Sequence, residues 1–217
     1  MNVSDFILQR LSDWGVSRIY GYPGDGINGL LGALNRSQNL RFIQARHEEM
    51  AAFMASGHAK FTGETGVCLA TSGPGAIHLL NGLYDAKLDH QPVVAIIGQQ
   101  KQISLGSNYQ QEVDLISLYK DVASAYVQMV THPGQARQVI DRALRIAQAE
   151  RTVTAVIVPN DVQEEKAEKE PPREHGSVFT GMGYPKSHAI PADEELIRAA
   201  EVLNQGKKVA ILIGAGA

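Results

Sequence analysis

Four ionisable residues stand together at Arg46-His47-Glu48-Glu49, and a Gly-Pro-Gly turn follows at Ser72-Gly73-Pro74-Gly75-Ala76. The first group opens a segment that is otherwise apolar and small: Met50, Ala51, Ala52, Phe53, Met54, Ala55, Gly57 and Ala59. A carboxylate at the start of such a helix has two uses. It can cap the helix from the surface, where the macrodipole favours a negative charge. It can instead be held inside, where burial favours the protonated form and suits it to general acid–base work. The residue types alone favour the surface cap. The Gly-Pro-Gly turn precedes a second helix, and its backbone N–H groups could receive an anion.

Positioning these residues requires a scaffold, and its periodicities are legible. Val3, Phe6, Ile7, Leu11 and Trp14 recur at helical spacing, and Gly15 ends the run. Arg18 to Tyr20 reads as a short strand entering the Gly21-Tyr22-Pro23-Gly24 turn. Leu30, Leu31 and Leu34 mark a second helix, Leu40 to Gln44 a second strand, and the helix that Glu48 opens stops near Gly63. Thr65 to Thr71 and Val93 to Gly98 are nearly continuous apolar runs, as strands covered on both faces require. Ile77, Leu79, Leu80, Leu83 and Tyr84 place a helix between them. Val139, Ile140, Ala143, Leu144 and Ala147 form another amphipathic helix, followed by a strand from Val153 to Val158. Strands alternating with helices predict a doubly wound, parallel α/β sheet. Ligands of such sheets bind at the carboxyl ends of the strands. Tyr22, Gln44 to Glu48, Thr71 and Gly98 all fall at such ends.

Five segments occur in a fixed order: Tyr22-Pro23-Gly24, Arg46-His47-Glu48-Glu49, Thr71-Ser72-Gly73-Pro74-Gly75, Asn81-Gly82-Leu83-Tyr84-Asp85-Ala86, and Pro92 to Gly98. From about Val3 to about Asp161 the chain thus resembles the N-terminal, pyrimidine-binding domain of thiamine-diphosphate enzymes of the acetolactate synthase and pyruvate oxidase type. The resemblance implies thiamine diphosphate as cofactor and Glu48 as the catalytic glutamate, which hydrogen-bonds the pyrimidine nitrogen N1′ and promotes formation of the thiazolium ylide. It implies cofactor contacts from Tyr22, Pro23, Gly24, Thr71, Pro74 and His78 as well. His78, in the setting His78-Leu79-Leu80-Asn81-Gly82-Leu83, is similar to an active-site histidine of the pyruvate oxidases that faces substrate, where the synthases usually carry Asn. From the residue alone a helix-surface histidine is the lesser reading. Gln111-Glu112 resembles a Gln-Glu pair near substrate, but Gln110 replaces the usual Phe, which leaves substrate identity open. Glu49 is expected to be structural or to lie at an interface.

Gly24-Asp25-Gly26 invites a misreading. The metal and diphosphate motif of these enzymes is a Gly-Asp-Gly followed about 25–30 residues later by Asn, with oxygen ligands suited to a hard cation. Here that interval, around Ala51 to Ser56, contains no Asn. The resemblance therefore puts the Mg²⁺ ligands in a C-terminal domain, with no metal ligand in this chain. His58, His90 and His132 lack ligand-like spacing and are expected on the surface.

After Asp161 the composition changes. Glu164 to Glu174 alternates in charge and contains Pro171 and Pro172, as a solvated linker does. Pro191 to Leu203 reads as a helix with an acidic first turn, Lys208 to Ile213 as a strand, and Gly214 to Ala217 as a Gly-rich turn. The expected organisation is a pyrimidine-binding domain over 1–163, a linker over 164–190, and the truncated start of a central α/β domain over 191–217. Such a chain alone is expected to be inactive. The net charge of -3 gives no reason to expect nucleic acid or an anionic membrane as partner. Membrane contact would need a C-terminal tail outside this chain. The lone Cys68, within Val67-Cys68-Leu69-Ala70, is expected in the core. No basic-then-apolar leader opens the chain, so a cytoplasmic enzyme is expected.

The reading favoured by these residues is an enzyme acting on a 2-oxo acid such as pyruvate, most similar to pyruvate oxidase or quinone-dependent pyruvate dehydrogenase. FAD is compatible with that branch, and a homodimer or homotetramer is implied. His78 and the stretch Asn28-Gly29-Leu30 to Ala33-Leu34-Asn35-Arg36 favour the oxidases. An acetolactate synthase-like carboligase is the alternative. A homologue that only binds a nucleotide or a partner is the alternative of another class.

Overall fold

A computed structural model describes residues 1–170, 174–186 and 189–214. They form two compact units, Met1–Tyr184 and Pro185–Ala217. In the first, six strands make one sheet: β1 (Arg18–Gly21), β2 (Arg41–Gln44), β3 (Gly66–Ala70), β4 (Val93–Gln99), β5 (Val127–Met129) and β6 (Val153–Pro159). Every pairing is parallel, and the order is β2-β1-β3-β4-β6-β5. Every residue of β3, β4 and β6 is buried, which is why those segments read as unbroken apolar runs rather than alternating ones.

Helices cover both faces, as a doubly wound sheet requires. On one face lie α1 (Val3–Asp13), α2 (Asn28–Arg36) and α6 (Ala136–Glu150), whose Phe6, Ile7, Leu11, Leu30, Leu34, Ile140 and Leu144 build a core of large aliphatics. A short α7 (Asn160–Glu164) contributes Val162 to the same cluster. On the other face lie α3 (Glu48–Thr62), α4 (Pro74–Leu88) and a short α5 (Leu115–Tyr119). Their core includes Ala51, Ala52, Ala55, Ala59, Ala76, Leu79, Leu83 and Ala86. A Cβ on Gly82 of α4 would lie 2.6 Å from the backbone nitrogen of Phe53 in α3. Only glycine permits that approach.

Helix ends follow their sequence signals. Asn2 and Asp5 form a reciprocal capping box at the start of α1. Gly63, at φ 74°, closes α3 in the left-handed conformation. Cys68 is fully buried, and burial pushes its thiol up to about 12, so it is an inert core residue.

Within the first unit, the segment after β6 is held to the helices at several points. Asn2 and Lys166 form a single antiparallel bridge. Thr180 donates to Asp141, and Arg137 donates to the carbonyl of Thr180 while its guanidinium lies 4.1 Å from the Phe179 ring centre. The prolines of the expected linker, Pro171 and Pro172, lie outside the described residues, as do Ala215 to Ala217 of the Gly-rich turn.

In the second unit, α8 (Asp193–Asn204) forms with Asp193, Glu194 and Glu195 in its first turn. The expected strand over Lys208–Ile213 is not formed among the described residues. Val209, Ile211, Leu212 and Ile213 are exposed and the run has no ladder partner. A strand is a pairing rather than a property of one segment, and apolar β-branched composition alone does not create one. Among the described residues no helix is long and apolar enough to cross a membrane.

Candidate active site

The sheet order sets the site. The chain runs from β1 outward to β2, then back across β1 to β3, so the crossovers diverge between β1 and β3. In an open parallel sheet that switch point leaves a crevice at the strands' carboxyl ends. The loop after β1 carries Tyr22, Pro23 and Gly24, and the turn after β3 carries Thr71 to Gly75.

These two loops meet closely. The hydroxyl of Thr71 accepts the Gly26 N–H at 2.9 Å, and a Cβ on Gly24 would lie 2.6 Å from the Cβ of Thr71. On its other side Thr71 packs against Gly75, where an added Cβ would lie 2.7 Å from Thr71 Cγ2 and 3.1 Å from Glu48 Oε1. Gly24, Thr71, Gly75 and Glu48 thus form one continuous contact path across the β1/β3 crevice. Pro74 occupies the first turn of α4, where its missing N–H costs nothing.

Glu48 opens α3 and is only 7% exposed. It does not act as the cap. His47 does, with Nδ1 accepting the Glu49 N–H at 3.2 Å. The Glu48 carboxylate is therefore left for another use. Oε2 lies 3.0 Å from Nδ1 of His78, thirty residues away on α4, and Oε1 accepts no hydrogen bond among the described residues. Glu49 is less buried and accepts from Asn81 Nδ2 at 3.0 Å, a contact tying α3 to α4. The two adjacent glutamates thus have different surroundings.

Gln111 sits at φ 61°, uncommon for a residue with a side chain, directly on Gly73. A Cβ on Gly73 would come within 2.8 Å of the Gln111 carbonyl oxygen. Two residues the periodicity gave no reason to single out hold this loop. Gln99 donates to the Val113 carbonyl at 3.0 Å, and Gln100 donates to the Gln110 carbonyl at 2.9 Å and to the Ser72 hydroxyl at 3.2 Å. Glu112 folds back onto the N–H groups of Gly106 and Tyr109, and those bonds hold its carboxyl below the usual range. Gln163 was missed as well. Fully buried, it donates to the carbonyls of Gly26 at 2.7 Å and Val158 at 2.9 Å, pinning the loop after β1.

A polar cleft of about 350 Å³ opens at the same end of the sheet, lined among others by Asp25, Asn28, Gln100, Lys101, Gln111 and Asn160. Tyr22 is exposed and makes no side-chain hydrogen bond among the described residues. Of the remaining histidines, His90 and His132 are exposed, but His58 is not a surface residue. Its side chain is 7% exposed, beside the Tyr20 ring, with Nε2 3.1 Å from Glu64. A small-residue helix buries even a polar ring when its neighbours are alanine and glycine.

His47, Glu48 and His78 each bring one ligand atom within 4.8 Å of the others. The two imidazoles lie with centroids 4.3 Å apart and planes 32° apart, so their in-plane lone pairs run alongside each other instead of converging. Both Nδ1 atoms are already hydrogen-bonded. Glu48 and His78 form a hydrogen-bonded pair, and the His47 ring stacks on His78. The fit to an aminopyrimidine is better: a buried carboxylate with one oxygen free of protein donors, standing beside a glycine that leaves it uncovered.

Comparison with known proteins identifies the family. Residues 1–118 match the family model described as thiamine pyrophosphate enzyme, N-terminal TPP binding domain. A putative thiamine pyrophosphate-containing protein of Bacillus subtilis is 42% identical over 96% of this chain and 35% of its own length. Pyruvate oxidase of Lactiplantibacillus plantarum is 41% identical over 72% of this chain and 26% of its own. The large subunit of acetolactate synthase isozyme 1 of Escherichia coli is 35% identical over 98% of this chain and 37% of its own. The chain spans between about a quarter and two-fifths of the length of these three relatives. It belongs to the thiamine pyrophosphate enzymes and carries their N-terminal cofactor-binding domain.

Proposed function

We propose that this chain supplies the pyrimidine-binding half of the active site in an enzyme that decarboxylates a 2-oxo acid such as pyruvate, in the manner of a pyruvate oxidase. The observation that carries the reading is the Glu48 carboxylate. It is buried at a helix start, spared from capping by His47, and has one oxygen open beside Gly75. When bound, thiamine diphosphate supplies the carbanion chemistry. This chain's part is to hold the pyrimidine between the Gly24 and Thr71 loops and to exchange a proton with its ring nitrogen through Glu48. Pro74, Tyr22 and Pro23 border the ring in this reading, and His78 and Gln111 face the substrate. Mg²⁺ and the diphosphate are held by a domain outside this chain. The exposed Met50, Ile77, Tyr84 and Leu88 of α3 and α4 are the surface through which a homodimer or homotetramer would complete the site.

An acetolactate synthase-like carboligation is the second reading, favoured by one observation. The match to a synthase subunit extends over 98% of the chain, past the end of the sheet, whereas the match to pyruvate oxidase covers 72%. The polar residue Gln110 where an aromatic is usual bears on the same choice, because it changes what the second reactant would meet.

Product analysis separates the two. The full-length protein, with thiamine diphosphate and Mg²⁺, is given pyruvate with and without a quinone or flavin-linked electron acceptor. Acceptor-dependent release of carbon dioxide supports the oxidase reading, and acetolactate formed without acceptor supports the synthase. Consumption of no 2-oxo acid under either condition contradicts both.

A further inference from the structure

Glu48 is nearly enclosed, its side chain 10% exposed, whereas the side chain of His78 is 41% exposed. The two are joined at 3.0 Å through Glu48 Oε2 and His78 Nδ1. A carboxylate accepts, so the neutral ring carries its hydrogen on Nδ1, and Nε2 is left as an acceptor. The titratable groups against the ring are Glu48 itself and His47, whose ring stacks on it with centroids 4.3 Å apart. His47 has its own Nδ1 engaged by the Glu49 N–H and does not compete for Glu48. His78 is thus the one hydrogen-bonded partner of the Glu48 carboxylate among the described residues, and in this chain it is the more exposed of the two.

We infer that His78 is the proton conduit of Glu48, connecting the enclosed carboxylate to bulk water or buffer. This rests on the proposed role of Glu48. The transfer balances as follows. The Nδ1–H proton moves to Glu48 Oε2 while Nε2 takes a proton from a buffer acid. The products are a neutral carboxylic acid, the Nε2–H tautomer and the conjugate base of the buffer. The reverse transfers restore the starting ring. A half-turn of the carboxyl group then carries the protonated oxygen from His78 to the cofactor side, where the proton is exchanged with the cofactor ring, and the unprotonated oxygen returns to His78. The arrangement gives His78 a role distinct from facing the substrate: it acts through Glu48.

Two readouts test this. In the chain alone, ring-nitrogen NMR of neutral His78 is expected to show the Nδ1–H tautomer, and the Nε2–H tautomer would overturn the inference. In the full-length protein loaded with thiamine diphosphate and Mg²⁺, exchange of the cofactor C2 proton for deuterium is followed at low buffer concentration. His78→Phe and His78→Gln are expected to slow it by roughly 10-fold or more, towards the scale of general acid–base contributions, with little change in cofactor affinity. Added imidazole should restore the rate of the variants, and thiazole, of similar size but barely basic, should not. Parent-rate exchange in both variants, equal rescue by thiazole, or no rescue by imidazole would each overturn the conduit. Glu48→Gln is the control. If it is slow while His78→Phe exchanges at the parent rate, the conduit alone fails. If both exchange at the parent rate, the proposed function fails first.

Discussion

The helices on one face of the sheet meet it and each other through leucine, isoleucine and phenylalanine, and those on the other largely through alanine and glycine. The first face also buries a polar network. Asp141, fully enclosed on α6, accepts from Arg10 Nε at 3.0 Å and NH2 at 2.6 Å, from Trp14 Nε1 at 2.8 Å, and from the Thr180 hydroxyl. That network ties α1, α6 and the segment after β6 together, far from Glu48. On the second face the pairs Glu48–His78, Glu49–Asn81 and Ser56–Asp85 link α3 to α4. Large side chains make a face stable but keep backbones apart. Small ones sacrifice buried area and let α3 and α4 approach until Glu48 and His78 touch. One face holds the sheet and the other builds the site.

The strongest way to break this division is at Asp141. Asp141→Asn leaves the enclosed Arg10 guanidinium with only the partly exposed Asp13, at 3.3 Å, as counter-charge, and breaking a buried pair in this way costs about 3–5 kcal/mol. Urea unfolding should show that loss. Once the variant is folded, cofactor chemistry should be close to the parent. A loss of stability below about 1 kcal/mol would mean the network is not what holds this face.

The converse test is Gly82→Ala. A Cβ there would lie 2.6 Å from the Phe53 nitrogen and 2.7 Å from the Ala52 Cβ, so α3 and α4 must separate. Overpacking of this kind costs about 1–3 kcal/mol. Because the same crossing sets the Glu48–His78 distance, activity should fall further than stability predicts. Full activity with reduced stability would separate packing from site geometry and contradict the account of this face.

The smallest effect concerns the far end of the same helix pair. Burial alone would raise the Asp85 carboxyl, but the Lys60 ammonium at 2.7 Å and the Ser56 hydroxyl at 2.7 Å outweigh it and hold it low. A carboxyl depressed in the folded state contributes stability above its unfolded value, near 3.8, and loses it as pH falls through the folded value. The pair is largely solvated, so its contribution is below about 1 kcal/mol. Lys60→Ala should therefore lower stability slightly at neutral pH and bring the variant and parent together in acid. An unchanged difference between pH 7 and pH 2 would show that the pair is not the cause.

The fold was legible because its signals are local. Continuous apolar runs gave β3, β4 and β6, and 3.6-residue periodicity gave α1 and α6. The stretch between Gln99 and Ala136 gave little, and it holds the short α5, the three-residue β5 and the left-handed Gln111. The loop at Gln111 is held by Gln99, Gln100 and Gly73 across it, and β5 exists by pairing with β6, not by a pattern within the stretch. The site was half legible. Motif order singled out Glu48, Thr71 and His78, but their pairing spans thirty residues and depends on how closely two helices approach. Trp14 counted only as an apolar helix position, whereas the structure uses its indole N–H as a donor to a residue 127 positions away. Lys208–Ile213 shows the opposite failure: strand composition with no neighbouring strand to pair with.

The central claim is that Glu48, and not its neighbour Glu49, exchanges the proton that activates the cofactor. The measurement is deuterium exchange of the thiazolium C2 proton in the full-length protein, read beside cofactor affinity, for Glu48→Gln and Glu49→Gln. Glu48→Gln should slow exchange by roughly 10²-fold or more, the scale of general acid–base catalysis, with a much smaller loss of affinity. Glu49→Gln, which keeps an oxygen to accept from Asn81 and loses only the charge, should exchange near the parent rate. Parent-rate exchange in Glu48→Gln, whatever Glu49→Gln does, would contradict the account.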